Sequence, residues 1–380
     1  MKEVIHKSKC TGCSACMNIC PKKAINMNKQ SDGFAYSTID QKKCIDCSLC
    51  IKTCPVISDT RNDSINKCYV GYTKEDYYKD KSSSGGLFPL IADYILDNNG
   101  IVIGALFEGN KLLHKAITKK EDLNSLKGSK YLQSDLNNIF TYIKDNLKKN
   151  KILFVGTPCQ VGGLKSFIKN DFNHLMCIDL ICHGVPSPRL FEKYIEELED
   201  IHNDKVINYN FRDKCTGWDS YSNTVTYKNS EYSELQSHNN YMKLYLSDIA
   251  LRESCYNCHF KLGNKYSDIT LGDFWGIRKY YPEMYNKKGV SAIIINTEIG
   301  KKIFENISSK LIFKECKLSE IVEGNPSLKE SSKQPEKRYE FFKDLETTKI
   351  NNLTQKYIKE IPYCKKFICK IKSIIKRMVN

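Results

Sequence analysis

The sequence predicts two unequal folded parts in one chain: a small α+β module over residues 1–58, then an α/β body over 66–325 with a mixed, partly parallel sheet, followed by a helical tail over 326–380. Three observations predict it. Eight of the 18 cysteines fall in two matching motifs before residue 58. Between residues 87 and 201, strand-sized apolar runs alternate with helical ones at the spacing of βαβ units. Beyond residue 360, apolar residues recur at helical period between lysines.

The first part is defined by its repeat. Cys10, Cys13, Cys16 and Cys20 precede Pro21, and Cys44, Cys47, Cys50 and Cys54 precede Pro55, so both motifs read C-x2-C-x2-C-x3-C-P. Three thiolates at this spacing wrap one corner of an iron-sulfur cubane, and the fourth turns to the other cluster, as in a two-cluster bacterial ferredoxin. Cys10, Cys13, Cys16 and Cys54 are therefore expected to hold one 4Fe-4S cluster, and Cys44, Cys47, Cys50 and Cys20 the other. Paired zinc sites are the competing reading, but zinc motifs use two separated pairs rather than a triple. The residues between Cys20 and Cys44 are expected to form a hairpin around Asp32 and Gly33, longer than ligation requires. Such a ferredoxin-like module carries electrons but makes no bonds with a substrate.

In the body, Asp59 to Asn66 is polar and aperiodic, a linker. Ser82, Ser83, Ser84, Gly85 and Gly86 then precede an apolar helix, Leu87 to Leu96, and a turn at Asn98 to Gly100 leads into a strand, Ile101 to Phe107. Hydroxyls and amides at a helix N-terminus suit a phosphate or pyrophosphate, although Ser-Gly runs also serve as flexible loops. Lys151 to Gly156 reads as a buried strand, Thr157 to Gln160 as a loop and Val161 to Ile168 as a helix. The pattern repeats as strand Leu175 to Ile181, loop Cys182 to Pro188 and helix Arg189 to Ile201. In a parallel sheet the site lies beyond the carboxyl ends of the strands, which is where Cys159 and Cys182 fall. Cys255 and Cys258 form a further C-x2-C. These four thiols suffice for a third 4Fe-4S cluster, while free thiols, zinc or a redox disulfide satisfy the same spacing. His259 completes a C-x-x-C-H haem signature, but that attachment needs export.

Taken together, Ser83–Gly86, Gly128–Ser134, Gly156–Leu164, Cys182–Pro188, Phe211–Lys214, Cys255 with Cys258, and Ser267–Gly276 resemble the coenzyme F420 hydrogenase/dehydrogenase beta subunit family over about residues 66 to 325. That family includes deazaflavin-reducing subunits, plant 7-hydroxymethyl chlorophyll a reductase and bacterial proteins associated with surface polysaccharide genes. The resemblance implies an FAD-dependent iron-sulfur oxidoreductase. Ser83, Ser84, Gly85, Gly86, Lys130, Gln133, Thr157, Pro158 and Gln160 would contact FAD, and Cys159, Cys182, Cys255 and Cys258 would hold the third cluster. Single electrons from a ferredoxin or other low-potential donor would pass through the clusters to FAD, which reduces a small organic acceptor two electrons at a time, or the reverse. The alternative is an electron-transfer subunit with no substrate of its own. His183 could protonate substrate or flavin, or be a loop histidine bonded to backbone. Lys130 could face an FAD phosphate or flavin N1, or lie on the surface. Asp268 and Asp273 could orient cluster-loop amides or cap turns, and Trp275 reads as core. The remaining cysteines, Cys68, Cys177, Cys215, Cys316, Cys364 and Cys369, read as structural.

In the tail, Gly324 to Glu336 reads as a linker. Residues 361–378 form a basic amphipathic helix able to lie on an anionic membrane at the inner face or to dock on the body. The longest apolar runs elsewhere are strand-sized, far short of the roughly 18 residues of a membrane span. Met1 leads to Cys10 without an apolar leader, so a cytoplasmic, reduced chain is expected. Lys and Arg exceed acids by 59 to 44, giving +15. Only seven of those are Arg, where a nucleic-acid reader would use more. Three clusters at about −2 each would also lower the charge to about +9. No nucleic-acid partner is expected, and self-association is left open.

Overall fold

A computed structural model describes residues 3–58, 67–169, 174–261 and 266–358. In residues 3–58, the head, each cysteine motif runs into a five-residue helix, Ala15–Ile19 and Leu49–Thr53. Ser14 and Ser48 stand at the same left-handed φ of 59°, so the sequence repeat is also a backbone repeat. Strands β1 (Ile25–Lys29) and β2 (Ala35–Ile39) pair antiparallel as the expected hairpin. Its tip is tied by Asp32, which accepts from the Phe34 N–H and the Tyr36 hydroxyl at 3.0 Å each.

The extra length of that hairpin reaches the body. A Cβ on Gly33 (φ 79°) would lie 2.5 Å from the backbone nitrogen of Arg189, so only glycine lets the tip meet the helix Pro188–His202. Ser187 Oγ donates to the Asp32 carbonyl at 2.6 Å, and Lys29 pairs with Glu192 at 3.1 Å. On the other side Asn18 donates to the Asn137 carbonyl and accepts from the Thr141 N–H. Ala15 is fully buried in the body's own core.

The body is an eight-stranded mixed sheet. In chain order its strands are β3 (Lys67–Thr73), β4 (Ile101–Glu108), β5 (Lys111–Ile117), β6 (Ile152–Gly156), β7 (Leu175–Leu180), then, after a separate sheet, β11 (Ile269–Asp273), β12 (Ser291–Ile295) and β13 (Leu311–Cys316). The spatial order is β13-β3-β12-β11-β7-β6-β4-β5. β4, β6, β7 and β11 are mutually parallel neighbours, and β3 runs the same way because it lies antiparallel to β12, itself antiparallel to β11. β6 is buried at every residue, the mark of a central parallel strand covered on both faces. Leu153 and Val155 face the helices Leu87–Asp97 and Glu298–Ile307, while Ile152 and Phe154 face Ile139–Asn146 and Pro158–Ile168.

Between β7 and β11 the chain forms the separate sheet, β8 (Val206–Asp213), β9 (Ser222–Tyr227) and β10 (Glu231–Leu235), which the sequence reading does not anticipate. Its aromatic core, with Phe191, Tyr209, Phe211, Tyr227 and Tyr241, also receives Phe341, Leu345 and Leu353 from the helices Arg338–Leu345 and Ile350–Tyr357. One boundary is corrected. The helix expected from Val161 begins at Pro158, because Thr157 and Gln160 form a reciprocal capping box and Pro158 fits the first helical position. The linker expected at 59–66 and the amphipathic helix at 361–378 lie outside the described residues, as do Cys364 and Cys369. Among the described residues no helix is long and apolar enough to cross a membrane.

Candidate redox centres and the adjoining basic loop

The head brings its cysteines together in the crossed pattern. Cys10, Cys13 and Cys16 line one cavity with Cys54 of the second motif. Cys20, Cys44 and Cys50 pack on Ile25 and Ile39, and Cys47 and Cys20 both act on the Cys50 thiol. The first group faces inward, with Cys10 and Cys54 buried, whereas Cys47 of the second is exposed beside exposed Ile45 and Ile51. Burial and the neighbouring Cys10 and Cys54 push the Cys16 thiol up to about 12, and burial raises Cys13 further. Thiols that resist ionisation alone suit a cationic iron core, which stabilises their thiolates. A single zinc would draw its ligands to about 2.3 Å from one point. Among the described residues no three His, Cys, Asp or Glu side chains converge in that way, and the irons of a cubane stand at separate corners.

The body supplies a third group at the carboxyl edge of its sheet. Cys159 lies in the first turn after β6, Cys182 two residues beyond β7, and Cys255 and Cys258 around the short 3-10 helix Glu253–Asn257. All four line one cavity with His183 and Arg252. Burial first, then their mutual repulsion, raises Cys159 and Cys255, and Cys13 of the head contributes to the rise at Cys159. The two sites are neighbours. Thr11 lines both cavities, and a Cβ on Gly163, one helical turn past Cys159, would lie 2.9 Å from Cys13 Sγ. Gly163→Ala is therefore expected to displace Cys13 and to lower iron content by about four per chain, measured on anaerobically purified protein.

The surrounding residues hold these loops. Thr157 Oγ1 lies 3.2 Å from Cys159 Sγ, Pro158 lines the cavity, and Gln160 accepts from the Thr157 N–H and donates to Ser134 Oγ at 2.9 Å each. Gln133 donates to the Thr11 carbonyl and accepts from Arg252, joining head to body. His183 Nε2 meets Asp248 Oδ1 at 2.5 Å, with its ring edge-on to Tyr245. Lys261 donates to the carbonyls of Cys182 and Ser327, Cys258 N–H to Ser331, and Ser332 to the His183 carbonyl. The stretch 324–336, read as a linker, thus closes over the third group. Asp248, Arg252 and Lys261 carry no motif, and each reaches its partner from a distant part of the chain.

A basic loop follows β3 on the same edge. Ser84 Oγ donates to the Val290 carbonyl, Gly85 N–H to Ser291 Oγ, and the Ser129 N–H to Ser83 Oγ at 2.6 Å. Gly86 (φ 82°) ends the loop at the N-terminus of Leu87–Asp97. Lys127 donates to the Tyr77 carbonyl, Lys130 to those of Lys127 and Ser125, and Lys214 to those of Lys79 and Lys288. Burial lowers Lys130 to about 7, and burial with the neighbouring Arg212 charge lowers Lys214 to about 8. Arg212 lies 3.4 Å from the Ser83 carbonyl and pairs with Asp273 at 2.8 Å. Asp273 also accepts from Trp218, which stacks on Trp275 at 5.0 Å, and Asp268 accepts from the Cys177 N–H. Among the described residues neither aspartate side chain bonds a cluster loop, and both serve the ends of β11. Of the FAD residues the resemblance names, Ser83–Gly86 and Lys130 gather here, whereas Gln133, Thr157, Pro158 and Gln160 stand beside the cysteine groups.

Comparison with known proteins agrees with this division. Residues 9–57 match the 4Fe-4S dicluster domain, and residues 149–321 match the C terminus of the coenzyme F420 hydrogenase/dehydrogenase beta subunit. No match is found among curated proteins. Among solved structures, a chain of the F420-reducing NiFe hydrogenase complex from Methanosarcina barkeri, studied with xenon, is 16% identical over 71% of this chain and 93% of that one, with a TM-score of 0.47. The chain thus joins a 4Fe-4S dicluster domain to a segment that matches the C terminus of the coenzyme F420 hydrogenase/dehydrogenase beta subunit.

Proposed function

We propose that this protein is an FAD-dependent iron-sulfur oxidoreductase that takes single electrons from a ferredoxin or another low-potential donor for two-electron reduction of a small organic acceptor, or runs the reverse reaction. One observation carries the reading: the three cysteine groups form a continuous series from the exposed Cys47, through the buried Cys10 and the half-buried Cys13, to Cys159. Bound 4Fe-4S clusters and FAD supply the one-electron and two-electron chemistry that such a series serves.

The residues divide the work. Cys47 with Ile45 and Ile51 offers the donor an exposed apolar contact. Ser83 to Gly86 and the amides at the start of Leu87–Asp97, with Lys130 and Lys214, offer the FAD pyrophosphate hydrogen-bond donors and positive charge. Asp248 fixes the His183 ring beside Cys182, so that His183 holds a proton at the edge of the site. His183→Gln is expected to lower acceptor reduction by about 10²-fold with iron and flavin content unchanged. Asp248→Asn should follow it in the same direction. The whole reading is tested by reducing the full chain anaerobically with a photoreduced ferredoxin and following the flavin absorbance. Bleaching of one FAD per chain is expected; a chain that binds no flavin even after reconstitution overturns it.

A further inference from the structure

Arg252 belongs to the body through its main chain and to the head through its side chain. Its N–H donates to the Val185 carbonyl at 3.0 Å, and its carbonyl accepts from the Cys255 N–H at 2.9 Å. Its guanidinium leaves that loop. Nε donates to the Cys10 carbonyl at 2.7 Å, Nη2 to the Ala35 carbonyl at 2.9 Å, and Nη1 to Gln133 Oε1 at 3.0 Å. Nη2 also lies 3.7 Å from Cys10 Sγ. The residue is 1% exposed. None of these partners is a carboxylate, and a buried cation calls for a compensating anion. The four thiolates of the inner head centre, net negative even around a 4Fe-4S core of about +2, would supply it.

The internal repeat provides the comparison. Cys10 and Cys44 are equivalent first cysteines, and Gly12 is equivalent to Asp46. Both stand in the left-handed region, at φ 70° and 51°. A Cβ on Gly12 would lie 2.9 Å from Arg252 Nη1, so glycine makes room for the guanidinium. At the matching corner of the outer centre Asp46 Oδ1 lies 3.8 Å from Cys44 Sγ. One backbone design thus carries a buried cation at its inner copy and an exposed carboxylate at its outer copy. Reduction adds negative charge to a cluster, so a neighbouring cation favours the reduced form and a neighbouring carboxylate disfavours it.

We propose that opposite charges at equivalent corners separate the two head centres in potential, Arg252 raising the inner and Asp46 lowering the outer, so that a single electron runs downhill toward the body. The inference rests on both head groups being 4Fe-4S centres. Arg252 acts through Cys10 as a positioning residue.

The test is a dithionite titration of the full, anaerobically reconstituted chain followed by electron paramagnetic resonance, with iron and sulfide counted first on every sample. Arg252→Gln is expected to keep its iron and to lower the midpoint of the more positive head wave. At the wild-type midpoint the oxidised-to-reduced ratio rises about tenfold, about 59 mV for one electron. Arg252→Lys, which keeps the charge, stays within about threefold of wild type. Asp46→Asn moves the other wave upward by a smaller amount, because its carboxylate is solvent-screened. Unmoved waves in Arg252→Gln at full iron overturn the proposal, as does an equal displacement in Arg252→Lys and Arg252→Gln. If Arg252→Gln loses iron, Asp46→Asn decides, and an unmoved outer wave overturns the proposal. Wild-type protein that binds no iron fails the underlying reading of the centres instead.

Discussion

Anaerobically purified protein is expected to contain about twelve iron and twelve sulfide per chain, and Cys255→Ser to contain about eight of each. The two head centres draw on Cys10 to Cys54 alone, whereas Cys255 shares its cavity with Cys159, Cys182 and Cys258. Losing one of the four thiols leaves the others without a full ligand set, so loss of the whole centre is expected rather than a gradual weakening. Cys16→Ser should likewise remove about four iron, but from the head. About eight iron in both wild type and Cys255→Ser would confine the clusters to the head and leave the body quartet without one.

FAD is expected to bind more weakly as pH rises, with its dissociation constant increasing about tenfold between pH 7 and 9 and the dependence flattened in Lys130→Met. Burial holds the free Lys130 ammonium at about 7 and Lys214 at about 8, so both are charged below those values and neutral above them. A pyrophosphate placed against them favours the ammonium form and raises both values on binding. Uptake of protons therefore accompanies binding through that window, and affinity falls as pH rises through the free-state values. Fluorescence of released flavin measures it. A flat profile in the wild-type protein would separate these lysines from the flavin.

The legibility of these sites in the sequence follows the distances they span. The head motifs are legible because three ligands of each centre lie within seven residues, and the repeat itself implies that the fourth is exchanged. Cys159 and Cys182 are legible because apolar runs mark β6 and β7, and the ends of parallel strands share an edge. The start of the following helix is missed because Pro158 and Gln160, read as loop residues, are capping residues here. Arg252 is not legible at all, since its partner Cys10 is 242 residues away and nothing local distinguishes a buried arginine from a surface one. Asp248 is similarly hidden, 65 residues from His183. The stretch 324–336 is polar because its hydroxyls and carbonyls bind the cysteine loops, which at the level of composition looks like solvation.

The hairpin tip at Gly33 bears on how electrons travel. With Gly33 against Arg189, Asp32 held by Ser187, and Asn18 bound across the opposite side, the head is fastened to the body at two separated places. A carrier module on a loose tether delivers charge by swinging, and its rate is set by diffusion in the solvent. A module fastened in this way cannot commute. In the proposed series charge would pass from Cys13 to Cys159 without the head moving, so the internal transfer rate is expected to depend on packing and driving force and to be indifferent to the viscosity of the medium.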